Sequence, residues 1–167
     1  GYYRPMKLNK IISGGQTGAD QGALSACVQC HFPYGGWIPK GRRTEKGQVP
    51  ARYRMRQHWS RHYPPRTEAN VKAADATVIC TYGKPDGGSL LTIAFAKQHR
   101  KPCLKIDMNQ PHDQNVARVI RWLRRTCPDN CILNVAGSRR SKAPGIHMCV
   151  KHLIRDVIRR LQPVSRL

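Results

Sequence analysis

The chain has 167 residues, enough for one domain with one sizeable core. Hydrophobic residues make up 40% of it, which excludes a disordered chain, and no apolar run is long enough to span a membrane. Thirty Lys and Arg stand against nine Asp and Glu, a formal charge of +21, so the expected partners are polyanions or phosphorylated small molecules.

The first ten residues, GYYRPMKLNK, lack the apolar centre of a secretory signal. Residues 1–5 read as an extension or expression scar ahead of Met6, leaving one expected domain over 6–162. The seven cysteines, an odd number without an export signal, predict free thiols in a reducing compartment, hence a cytoplasmic protein. A short apolar run at 10–12 ends in SGGQTGAD (13–20) and leads into a helix with Ala19, Ala23, Leu24, Ala26, Cys27 and Val28 on one face. GGWIP (35–39) predicts a second strand. Residues 40–65 carry Gly, Pro and many charges, the pattern of a long functional loop. A helix is predicted over 66–74, with Thr67 as N-cap and Asn70, Val71 and Ala74 inward.

Residues 76–82 (ATVICTY) form a continuous β-branched run, expected to be buried on both faces. GKPDGGS (83–89) is a glycine turn, 90–98 an apolar helix and 102–107 another buried strand. Pro111 opens a helix running to about Arg125. CILNVA (131–136) predicts a strand, GSRRSKAPG (137–145) a long turn, and 146–161 a closing helix with His147 on its inward side. Strands alternate with helices throughout. That order implies an α/β fold with right-handed crossovers and a mainly parallel sheet covered on both faces.

In such a sheet the ligand crevice lies beyond the carboxyl ends of the strands. Three glycine-rich loops fall there: Gly14, Gly15 and Gly18; Gly87, Gly88 and Ser89; and Gly137 through Gly145. Each precedes a helix, whose first N–H groups and positive dipole end attract an oxyanion. Ser13, Gln16, Thr17, Ser89, Thr92 and Ser141 add polar groups. Lys40, Gly41, Arg42, Arg43, Arg66, Asn70, Lys84, Arg139, Arg140 and Lys142 are expected at the same edge. The predicted ligand is therefore small and phosphorylated. Asp20, in the first turn after three glycines, either caps its helix or binds a sugar hydroxyl or metal; Glu68 carries the same ambiguity. The chain has no G-x-x-x-x-G-K-[ST] and no G-x-G-x-x-G, so neither ATP hydrolysis nor nicotinamide chemistry is indicated. No protein metal site is expected.

SGGQTGAD (13–20), GGWIPKGR (35–42), RTEANV (66–71), GGSLLT (87–92), KPCL (101–104) and NVAGSRRSKAPGI (134–146) together resemble the so-called molybdenum carrier family. That family is the circularly permuted YpsA-related branch of the SLOG superfamily. The resemblance runs in order from about Lys7 to Leu161. It implies a Rossmann-like doubly wound sheet, a nucleotide-like or molybdenum cofactor ligand, and homo-oligomers. The wider superfamily includes phosphoribohydrolases with a PGGxGTxxE motif and a catalytic Glu. Here GGQTGAD offers Asp20 at a shifted position and GGSLLTIAFA has no acid. The reading is thus a binding or carrier protein, with a nucleotide N-glycosidic hydrolase using Asp20 or Glu68 as the alternative.

Cys27-Val28-Gln29-Cys30-His31 spells a c-type haem motif, but within a packing helix it is read as core thiols. A zinc site joining Cys27 and Cys30 to Cys127 and Cys131 would need distant segments to meet. Cys80 is a candidate soft contact for molybdenum. Arg118, Arg121, Arg124 and Arg125 on one helix, with Arg155, Arg159 and Arg160 on another, fall in stretches of sequence that contain no Glu and suggest a phosphate-driven nucleic-acid face.

Overall fold

The computed structural model describes residues 6–162. The elements run β1 (Leu8–Ile12), α1 (Ala19–Gln29), β2 (Tyr34–Gly35), β3 (Trp37–Ile38), a 3-10 turn (Lys40–Arg42), β4 (Arg43–Thr44), β5 (Gly47–Gln48) and β6 (Arg56–Gln57). They continue α2 (Tyr63–Ala73), β7 (Ala76–Thr81), α3 (Gly87–Gln98), β8 (Cys103–Asp107), α4 (His112–Thr126), β9 (Cys131–Gly137) and α5 (Ile146–Leu161). Five strands form a parallel sheet in the order β2-β1-β9-β7-β8. The fold is α/β and Rossmann-like. The last strand inserts between β1 and β7, with Asn134 opposite both Ile12 and Thr77. This insertion brings the loops after β1, β9 and β7 to one edge.

The two faces of the sheet differ in chemistry. One packs against α1, α4 and α5. Val78, Leu133 and Val135 meet Val119, Leu123, Leu153 and Val157 there in a continuous apolar core. The spacing of Val116, Val119, Ile120 and Leu123 on α4 gives it the apolar stripe this requires. The opposite face is covered by α2 and α3 and holds buried polar groups instead: Asn70, Thr77, Ser89, Thr92 and Asn134. Strand alternation explains the split, because Thr77 and Asn134 point opposite to Val78 and Val135. Burying this much polar surface costs free energy unless it is hydrogen-bonded, so the second face is built for something other than packing.

Four expectations need correction. The strand predicted over 35–39 splits at Gly36, whose φ of +121 turns the chain. A Cβ there would lie 2.3 Å from the Ser13 carbonyl oxygen. Tyr34–Gly35 joins the main sheet, whereas Trp37–Ile38 pairs with Arg56–Gln57 in a separate parallel ribbon. The helix expected at 66 begins at Tyr63, because Pro64 and Pro65 fit the first turn, where no backbone donor is required. Thr67 therefore lies inside the helix and donates to the Tyr63 carbonyl at 3.0 Å rather than capping it. The strand expected to be buried at 102–107 is the sheet edge, with only Ile106 buried. Residues 40–65 are ordered by the β4–β5 hairpin and by a second small core of Leu24, Ile38, Val49 and Tyr53.

Candidate ligand-binding site

A cavity of about 340 Å³ opens on the polar face, between α2 and α3 and beyond the ends of β1 and β9. That size lies within the range of small-molecule sites. Gly14, Gln16 and Asp20 come from the β1–α1 loop; Tyr63, Arg66 and Asn70 from α2; Gly87, Gly88, Ser89 and Thr92 from α3. Asn134 and Gly137 end β9, and Arg139 and Lys142 follow it.

One wall is a buried acid–base pair. The Asp20 carboxylate lies 4.0 Å from Arg66 Nη2, both side chains less than a tenth exposed. Burial drives the Asp20 carboxyl up to about 6, against the opposing pull of Arg66 and of the Gln16 N–H, which donates to it at 3.1 Å. Burial also lowers the Arg66 guanidinium, which Asp20 and Tyr63 counteract. Arg66 Nε donates to the Gly14 carbonyl at 3.0 Å, so the guanidinium fixes the loop as well as facing the acid. Beside them Asn134 donates to Thr77 Oγ1 at 3.2 Å, while its own amide oxygen is buried without a partner among the described residues. A buried orphan acceptor at a cavity wall is a cost that a bound donor would remove.

The opposite wall is the start of α3. Asp86 occupies the N-cap position, but no side chain caps the helix. The Ser89 N–H bonds back to Asp86 at 3.0 Å, and the amides of Gly87 and Gly88 precede the first intrahelical bond. A Cβ on Gly88 would meet nothing within 4 Å. Lys142 Nζ sits 3.9 Å from the Asp86 carboxylate, and Arg139, which lines the same mouth, lies 3.4 Å from Glu45. Uncapped amides, a positive helix end and nearby cations are features that attract an anion.

The first glycine loop works differently from its expected role. Gly14 makes room for the Arg66 guanidinium, Gly15 for Ile38, and Gly18 for the backbone at 138–140, each with a prospective Cβ under 3 Å from its neighbour. These glycines admit protein. The space at Gly88 is open.

A sequence profile described as the circularly permutated YpsA SLOG family matches residues 11–158. The chain belongs to that family. A solved structure from Syntrophus aciditrophicus SB, named "Putative molybdenum carrier protein", is 41% identical, with a TM-score of 0.85. The alignment covers 90% of this chain and 94% of that one. No curated protein matches.

In this member of the SLOG family, Gly14, Gln16, Asp20, Arg66, Asn70, Gly87, Gly88, Ser89, Thr92 and Lys142 line one cavity, as their grouping in the sequence suggests. Others lie elsewhere. Thr17 spends its hydroxyl on Glu45, at 2.6 Å, and on the Arg140 N–H. Arg42 donates to the carbonyls of Val49, Pro50 and Tyr53, holding the 40–60 segment together, and exposed Lys40 and Gly41 belong to the same turn. Glu68 leaves the cavity to pair with His99 Nε2 at 2.7 Å. Ser141 donates from both its N–H and its hydroxyl to Glu45, at 3.0 and 2.5 Å.

Sequence reasoning missed Tyr63, Asp86 and Asn134 in the lining, and Glu45 beside it. The Glu45 carboxylate accepts from Thr17 and Ser141 and lies 3.4 Å from Arg139 Nε, while its N–H donates to Gln16 Oε1 at 3.0 Å. Burial pushes the Glu45 carboxyl up, but the Ser141 and Thr17 bonds and Arg139 outweigh it and hold it below the ordinary value. It thereby ties the 40–60 segment to two loops of the site.

The sulfur chemistry is quiet. All seven cysteines are free, and none lines the cavity. Cys80 packs into the apolar core with its thiol pushed up to about 12 by burial, so it offers no thiolate to the site. Cys27 is likewise buried, against the haem and redox readings. No cluster of ligating residues exists among those described. No described helix is long and apolar enough to cross a membrane.

Proposed function

We propose that this protein binds a small phosphate-bearing ligand, nucleotide-like or molybdenum cofactor in class, and holds it as a carrier or sensor. The observation that carries the reading is the uncapped start of α3, whose Gly87 and Gly88 amides border the cavity beside Arg139 and Lys142. A phosphate there gains amide donors and counter-charge together. The far wall, with Asp20 and the unpaired Asn134 oxygen, suits a hydrogen-bond donor such as a ring N–H or sugar hydroxyl. The neighbour named as a molybdenum carrier supports the same ligand class. For molybdenum cofactor the fit is through its phosphate, because no cysteine lines the cavity to bind the metal.

The test is native mass spectrometry of the purified protein, then thermal unfolding with nucleotides, molybdate and molybdopterin compounds. A phosphorylated compound that raises stability and is recovered intact supports the reading; no shift with any of them refutes it.

One observation favours a hydrolytic alternative: Asp20, with its carboxyl near 6, is suited to proton transfer at neutral pH. Release of free base from a nucleoside monophosphate, abolished in Asp20→Asn, would establish it. Intact ligand over long incubation would not.

Two further expectations stay within this proposal. The free thiols suit a cytoplasmic protein. The expectation of a homo-oligomer would be tested by light scattering of the purified protein.

A further inference from the structure

The few cations at the cavity leave most of the +21 charge without a use there. The arginines expected to form a basic face on α4 and α5 are partly matched: Arg155 bonds Asp156 at 2.9 Å, and Arg160 lies 4.0 Å from Asp113. A different surface combines charge with aromatic rings. Between Trp37 and Tyr63 the chain carries eight Lys and Arg but one acid, Glu45, which is turned inward onto Thr17 and Ser141.

The β3–β6 ribbon organises this surface. Its register puts Trp37 opposite Arg56, and the Arg56 guanidinium lies 4.3 Å from the Trp37 ring centre. Trp37 meets His58 edge-on at 5.8 Å, and His58 tilts against Trp59 at 5.2 Å and 35°. The turn is held in place: the His58 N–H donates to the Ile38 carbonyl at 2.7 Å, and the Ser60 N–H donates to His58 Nδ1 at 3.1 Å. Ile38 itself is fully buried. Trp59 is therefore displayed on a fixed turn, yet it is 81% exposed. Arg61 is exposed beside it, and the Arg61 carbonyl accepts from Arg43, whose guanidinium stacks over Tyr63 at 4.9 Å.

We propose that this face binds single-stranded nucleic acid, with an unpaired base stacking on Trp59 and neighbouring phosphates meeting Arg56 and Arg61. Alternating aromatic rings and arginines along a positive track are what single strands require, because every base has a stacking face and every linkage a charge. A second copy of this chain is a poor occupant, since two such basic faces repel each other. The inference is independent of the cavity ligand.

The experiment is fluorescence anisotropy with a labelled single strand of about 12 nucleotides, within the usual site size, and the matching duplex. The single strand should bind more tightly than the duplex, and Trp59→Ala should weaken it by about tenfold, on the order of one stacked base. Trp59→Phe should restore part of the loss. Arg56→Gln and Arg61→Gln should each flatten the salt dependence by about 0.7 of a log–log slope. Thermal unfolding of Trp59→Ala should match the wild type, since the ring is mostly in solvent. Equal affinity for duplex and single strand would overturn the proposal. So would a Trp59→Ala change within twofold, or a Trp59 effect confined to anionic vesicles or to self-association.

Discussion

Asp20 and Arg66 face each other at 4.0 Å across the first glycine loop, both almost fully buried. The acid comes from the first turn of α1 and the base from the first turns of α2, so their meeting fixes one wall of the cavity. The separation is long for an ion pair, and burial outweighs it in setting the Asp20 carboxyl near 6.

Stability should therefore depend on pH in a definite direction. Asp20 binds its proton more tightly folded than unfolded, where its carboxyl returns to 3.8. The folded state gains most below about 4 and loses that gain as pH rises to 6, by up to about 3 kcal/mol. Asp20→Asn removes this slope, so wild type minus variant should fall between pH 4 and 7 in urea titrations. A flat difference would show that the carboxyl is unshifted.

Glu45 predicts the opposite slope. Its carboxyl is held below the usual 4.5, so its contribution is present above that value and is lost as pH drops. Glu45→Ala leaves Thr17 and Ser141 without their acceptor and should release the 40–60 segment, at roughly 1–3 kcal/mol. Hydrogen exchange at 43–48 should quicken in the variant at pH 7, and in the wild type only in acid. Unchanged exchange would show that the clamp is idle.

Two glycines separate architecture from binding. Gly18 has φ +82, and a Cβ would lie 2.4 Å from the Ser138 carbonyl oxygen, so Gly18→Ala should destabilise by about 2 kcal/mol or more. For a chain of this size, each kcal/mol is about 2–4 °C in Tm. Gly88→Ala meets nothing within 4 Å and should leave Tm nearly unchanged. Its methyl group would enter the space assigned to the ligand, so binding should fall. Equal Tm losses in both would contradict this division.

The cations at the mouth should act mainly on affinity, with Arg139 also touching Glu45 at 3.4 Å. Arg139 and Lys142 are both exposed, so their Gln variants should fold, Lys142→Gln with unchanged stability and Arg139→Gln with a small loss from the Glu45 contact. Each should lose roughly tenfold in affinity for a phosphorylated ligand, on the scale of one charged hydrogen bond, and calorimetric titration would read it. Unaltered affinity in both would move the anion elsewhere.

The sheet was legible because β-branched runs such as 76–82 ended in glycine turns, and the alternation of strand and helix left few topologies. The two-residue strands β3 to β6 were not, since elements that short show no periodicity. Most of the cavity lining could be read from residues clustered at strand ends. Glu45 could not, because it meets Thr17 and Ser141 at separations of 28 and 96 residues and sits in a loop that reads as solvated charge. Gly14 lines the cavity, but for Gly15 and Gly18 sequence cannot distinguish space left for a phosphate from space left for Ile38 or the backbone at 138–140. The polarity of the second sheet face was present in Thr77 and Asn134, but it becomes a signal only once α2 and α3 are seen to cover it.

The most direct test of the central claim is thermal unfolding of the wild type and Gly88→Ala with matched pairs of nucleoside and nucleoside monophosphate, and with molybdopterin compounds. If phosphate sits at the start of α3, a phosphorylated member should stabilise the wild type by about 2.7 kcal/mol at one hundred times its Kd, its unphosphorylated partner far less, and Gly88→Ala should lose the effect. Equal stabilisation by both members of a pair, or a shift that survives in Gly88→Ala, would contradict a phosphate site at this helix end.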